Sequence, residues 1–162
     1  MQALSHYDEI VHRFPDLAIT EYARIHRAIF LYQTGNASRA ILELEDEEVN
    51  MRGLAEAGLH PRLLQKQLFV DYAAYMMFVP LGAADTIFPW AGRSLLIMRM
   101  QVHAALACIL HAERPREVWR AESQWEIASE FDTRFGDVQW VQAEKHWPPR
   151  LLAALQSFLN LA

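Results

Sequence analysis

Cysteine is nearly absent from this chain: Cys108 is alone among 162 residues, so no intrachain disulfide can form. Flanked by Leu106, Ala107, Ile109 and Leu110, it has the setting of a small buried hydrophobe rather than a reactive thiol. Six glycines and no glycine-rich loop exclude a phosphate-cradling motif, and there is no nucleophile elbow, nucleic-acid motif or zinc-type ligand spacing. Lysine is almost missing too. Thirteen of the 15 basic residues are arginine, and they are scattered. With a net charge of −5, that pattern argues against a nucleic-acid backbone as partner, because such affinity comes from clustered cations that release counterions. The opening residues, Met1 to Glu9, lack both the basic and the apolar regions of a secretory leader. The most apolar candidate span, Ser94 to Ala112, carries Arg99, Gln101 and His103 near its middle, where a charge costs about 2.5–3.5 kcal/mol in a bilayer. The expectation is a cytoplasmic protein without a membrane anchor.

Period-2 alternation is missing as well, whereas apolar residues recur throughout at three- and four-residue spacing. The chain is therefore predicted to be all-α: a compact single domain spanning 1–162, with six to eight helices. Leu4–Arg13 forms a first short helix stopped by Phe14-Pro15. Asp16 or Thr20 caps a second, whose stripe is Tyr22, Ile25, Ile29 and Tyr32 and which ends at Gly35. Asn36 caps a third bearing Ala40, Ile41 and Leu44, which Gly53 is placed to break. Pro61 opens a fourth, with Leu64, Leu68, Tyr72, Tyr75 and Val79, that stops at Pro80. After an aromatic turn over 80–93, Ser94 to His111 is apolar nearly all round, the pattern of a helix at the centre of a bundle. Pro115 starts an amphipathic helix with Val118, Ala121, Trp125 and Ala128 running to Phe135-Gly136. Pro149 opens the last, with Leu151, Leu152, Leu155, Phe158 and Leu159.

Ala28, Leu31, Gly35, Ala40 and Leu44 together resemble one helix pair of the tetratricopeptide type, in which a small residue, a large apolar residue, a turn glycine, an alanine and a leucine recur at these intervals. The resemblance implies a degenerate helical array as a minority alternative to the bundle. The pattern departs at Arg24 and Arg27, where the repeat has aromatic residues or leucine, and at Glu47 and Arg52, where it has alanine and proline. No second copy follows at the repeat interval, and solenoids need several.

Four groups of residues carry candidate chemistry. Glu43, Glu45, Asp46, Glu47 and Glu48 form the densest run of charge. A step of about 100° per residue spreads them around a helix, so they are a solvated surface or an acidic docking patch for a basic protein. Asp71, Arg99 and His103 interrupt apolar helices, and a buried carboxylate needs a partner. They are expected to form an ion pair that sets register, or, in an enzyme, a carboxylate–imidazole acid–base pair. Trp119 and Trp125 lie six residues apart and point in opposing directions on one helix. If Trp125 is core, Trp119 faces solvent, and with Trp140 it marks a contact surface. Glu9 and His12 have Glu-x-x-His spacing, but di-iron bundles use two such pairs and there is only one, so neither a metal nor another cofactor is expected.

These observations favour a protein-interaction module: a bacterial-type cytoplasmic inhibitor, immunity protein or chaperone-like adaptor that contacts another protein through Glu43, Glu45, Asp46, Glu47, Glu48, Trp119 and Trp140. The alternative is a small helical enzyme or cofactor-binding bundle built on Asp71, Arg99 and His103.

Overall fold

A computed structural model describes residues 2–14, 18–56 and 90–160. Within them every regular element is helical and there is no strand. Seven helices follow one another: α1 (Gln2–Arg13), α2 (Ala18–Gln33), α3 (Ala37–Glu56), α4 (Trp90–Glu113), α5 (Val118–Phe131), the single turn α6 (Val138–Trp140) and α7 (Pro149–Leu159). The helix with its first turn at Pro61, and the aromatic turn up to Pro89, lie outside the described residues.

Helix α4 organises the packing, touching α3, α5 and α7. Each residue from Met100 to Leu110 is buried, which is what a helix apolar on nearly all sides requires. Ala104, Ala105 and Ala107 are fully enclosed, and such small side chains let neighbouring helices approach closely. On α7 the buried residues are Leu151, Ala154, Leu155 and Phe158, the i, i+3, i+4, i+7 stripe of an amphipathic helix. Among the described residues, no helix is long and apolar enough to cross a membrane.

The α2–α3 hairpin shows how local sequence sets a tertiary angle. Gly35 adopts φ 95°, a conformation that costs glycine little. The Asn36 N–H donates to the Leu31 carbonyl at 2.9 Å and the Gly35 N–H to that of Tyr32 at 3.0 Å, the Schellman arrangement that closes a helix end. Ala28, Ala40 and Leu44 then pack fully buried across the hairpin. Helix α3 continues through Gly53 to Glu56 rather than breaking there. A glycine costs a helix only about 1 kcal/mol, and the preceding turns dock on both α2 and α4.

Other boundaries differ from the sequence expectation as well: Pro115 opens a 3-10 turn (Pro115–Glu117) and α5 begins only at Val118. Helix α4 begins at Trp90, four residues ahead of Ser94. Helix α5 stops at Phe131 instead of reaching Gly136, because Asp132 takes an extended conformation and its carboxylate accepts from the Arg134 backbone N–H, Nε and Nη2 at 2.8–3.1 Å. A 3-10 turn (Thr133–Gly136) follows. Asp137 then caps α6 by accepting from the Gln139 and Trp140 N–H groups. The chain passes through a π-helical turn (Val141–Lys145) into His146, which sits at φ 52°.

Candidate functional site

The acidic run lies on α3, and the helical step turns its members toward different neighbours. Glu43 faces α2 and accepts from Arg27 at 2.8 Å and from Arg39 on its own helix at 2.9 Å. Arg27 also reaches Asp8 of α1 at 2.6 Å, so one guanidinium ties three helices together. Glu45 points the other way and pairs with Arg120 of α5. Glu48 accepts from Arg52 at 2.8 Å and from the Gln124 amide at 3.0 Å. Asp46 is exposed and has no ion-pair partner among the described residues. Much of the negative charge that looked free in the sequence is thus matched within the fold.

Glu47 is different, being only 4% exposed. It forms part of the wall of a cleft of about 290 Å³, lined also by Val11 of α1, Arg24 and Arg27 of α2, and Glu43, Asp46 and Asn50 of α3. Arg24 pairs with Glu21 at 3.0 Å and lies 3.9 Å from Glu47. The Oε2 atoms of both Glu21 and Glu47 are shielded from solvent and have no hydrogen-bond partner among the described residues. Burial drives the Glu47 carboxyl up to about 9, and its hydrogen bond and repulsion with Glu21 add to the effect, against the opposing pull of Arg24 and Asn50. Burial and the nearness of Glu21 thus favour the protonated form of Glu47 at neutral pH. Neither Glu21 nor the cleft was foreseen from sequence. The i, i+3 spacing of Glu21 and Arg24 is legible, but their meeting with Glu47 depends on how α2 crosses α3.

Asp71 lies outside the described residues. Arg99 and His103 share one side of α4, one turn apart. His103 is buried, and its Nδ1 bonds the side-chain oxygen of Gln124 on α5. Gln124 in turn donates to Glu48, so a polar chain runs from the core of α4 through α5 to the surface of α3. Burial lowers the His103 pKa, although the Gln124 bond and the charge of Glu48 work in the opposite direction. A neutral imidazole donating from Nδ1 fits this arrangement. Its Nε2 has no partner among the described residues, and no group of three or more His, Cys, Asp or Glu able to hold a metal ion occurs there.

The tryptophans divide sharply. Trp147 is buried, and Trp125 packs on the core with its ring centroid 5.0 Å from that of Phe158. Trp140 is half-buried, its edge against Phe135, with Arg134 4.6 Å and Lys145 5.0 Å from the ring centre. Its ring thus already carries two cations of its own chain. Trp119 alone of these four stands out in solvent, 67% exposed. On α3, the helix that Arg120 reaches through Glu45, Leu42 is 59% and Val49 66% exposed. Leu42 and Val49 are seven residues apart and so share one side of the helix. Comparison with family models, with curated proteins and with solved structures finds no match to this chain.

Proposed function

We propose that this chain is a protein-interaction module, of the inhibitor, immunity or adaptor type, that engages its partner through the exposed crest of α3 and the outer side of α5. The observation that carries this reading is Trp119, a large aromatic left 67% exposed on a helix whose opposite side is buried in the core. Tryptophan is enriched among the anchors of protein interfaces. Leu42 and Val49, exposed on α3, add apolar area, and the Glu45–Arg120 pair that links α3 to α5 supplies charge. The internal pairing of Glu43, Glu45 and Glu48 favours an apolar anchor over purely electrostatic docking, with Asp46 left to meet a basic group.

The test is affinity capture from host extract with the parent and with Trp119→Asp, after circular dichroism shows both folded. A protein retained by the parent and lost by the variant is then purified and titrated. Trp119→Ala should weaken it by about 2 kcal/mol, roughly thirtyfold in Kd, with little dependence on salt. Glu45→Lys should act mainly at low salt. Equal retention of every captured protein by parent and Trp119→Asp refutes the reading.

A further inference from the structure

The outer side of α5 carries its charges in a definite order. With a step of about 100° per residue, Trp119, Glu122, Ser123, Glu126 and Glu130 fall on the side of the helix away from Ala121 and Ala128; all of them are exposed, while both alanines are buried. Arg116, in the 3-10 turn just ahead of the helix, is exposed as well. Its basic neighbours Arg114 and Arg120 are each held by Glu117. Arg116, Glu122, Glu126 and Glu130, by contrast, have no ion-pair partner among the described residues. From its N-terminal end the face therefore reads positive, aromatic, small, negative. Its members are also evenly placed about Ala121: Trp119 and Ser123 lie two positions to either side of it, Arg116 and Glu126 five. A face ordered in this way is complementary to itself turned end for end.

We propose that this face docks on a second copy of the chain, the two α5 helices packing antiparallel about a two-fold axis level with Ala121. Such a contact makes every pairing twice: Arg116 of each protomer meets Glu126 of the other, and Trp119 of each lies across Ser123 of the other. Ser123 is small, and its hydroxyl already donates to the Trp119 carbonyl of its own helix at 2.9 Å, so it lets an opposing indole approach closely without stranding a polar group. The indole anchors and the charge pairs set the register, since sliding one helix along the other separates both at once. The proposal rests on the reading of Trp119 as an interface anchor and names what that anchor meets. One helix from each protomer makes a contact at the small end of specific interfaces, so monomer and dimer should exchange freely.

Sedimentation velocity over a dilution series of the purified full chain tests this, and a concentration-dependent monomer–dimer equilibrium is expected. Trp119→Ala, which acts twice in a symmetric contact, should weaken it at least about thirtyfold. Arg116→Glu and Glu126→Arg should each weaken it about tenfold, because each sets like charges face to face in both halves of the contact. An equimolar mixture of those two variants, and a chain carrying both exchanges, should recover the parent's affinity: each again opposes arginine with glutamate, and the exchanges cancel in net charge. Every substitution is at an exposed position, and circular dichroism checks that each variant is folded. A parent that stays monomeric at every concentration overturns the proposal, as does a dimer that Trp119→Ala leaves intact or a mixture no tighter than its components. If capture of another protein still depends on Trp119 in that event, the contact role of α5 stands without self-association; if neither association responds to Trp119, that role falls too.

Discussion

Replacing Glu47 by glutamine should make the protein more stable, and more so as the pH rises. In the unfolded chain Glu47 loses its proton near 4.5, whereas burial and the neighbouring Glu21 hold it in the native state up to about 9. Between those values the folded protein binds more protons than the unfolded chain, so this residue's contribution is complete below about 4.5 and drains away as pH rises toward 9. At about pH 7 the loss is at most about 3 kcal/mol, taking about 1.36 kcal/mol for each pH unit above 4.5. Relaxation and water entry in the ionised form reduce that ceiling. Glutamine keeps the shape, is neutral at every pH, and its amide can donate to the Glu21 Oε2 that has no partner among the described residues. A gain of about 1–2 kcal/mol at neutral pH is expected, which for a chain of 162 residues is roughly 2–8 °C in Tm. Thermal unfolding of parent and Glu47→Gln, followed by circular dichroism at about pH 5, 7 and 8.5, measures the difference. A gap that stays constant across that range, or a variant less stable than the parent at the highest pH, refutes the argument that burial keeps Glu47 protonated.

On the acid side, burial and the nearby His146 lower His26 to about 4, so its stabilising neutrality is present above about 6.5 and lost as pH falls through that window. His26→Phe keeps a ring beside Tyr22, whose centroid lies 4.1 Å away, and should flatten the decline of Tm between about pH 6.5 and 4; an unchanged decline assigns acid lability elsewhere. Cys108 is fully enclosed and burial pushes its thiol far up, so it should resist a thiol reagent in the native protein and react only in denaturant; fast native labelling would contradict this. Leu106→Ala, at a side chain fully buried on α4, should cost about 2–5 kcal/mol in denaturant unfolding, and a loss below about 1 kcal/mol would show that α4 is not the centre of the core.

Periodicity and punctuation determined most of the architecture. Leu151, Leu155 and Phe158, Ile25 and Ile29, and the apolar run to Leu110 all fall on buried faces, because a 3.6-residue repeat decides which side of a helix can leave water. The glycine that ends α2, the cap at Asn36 and the proline that opens α7 were equally legible, since they act through backbone groups within a few residues. The exposure of Trp119 followed from its spacing to Trp125 once Trp125 packs on the core. Where local preference and tertiary docking compete, sequence was insufficient: α3 runs through Gly53 and α4 starts at Trp90, while Asp132 ends α5 early through its clamp on Arg134. The site belongs to that second class. The carboxylates at 43–48 read as one acidic run, but the crossing of α2 over α3 assigns Glu43 to Arg27 and sets Glu47 beside Glu21, while Arg120 reaches Glu45 from α5. The packing of α5 on α4 gives His103 to Gln124. Spacing along a chain fixes the direction of a side chain from its own helix, but the charge it meets there is set by how the helices cross, which no local pattern encodes.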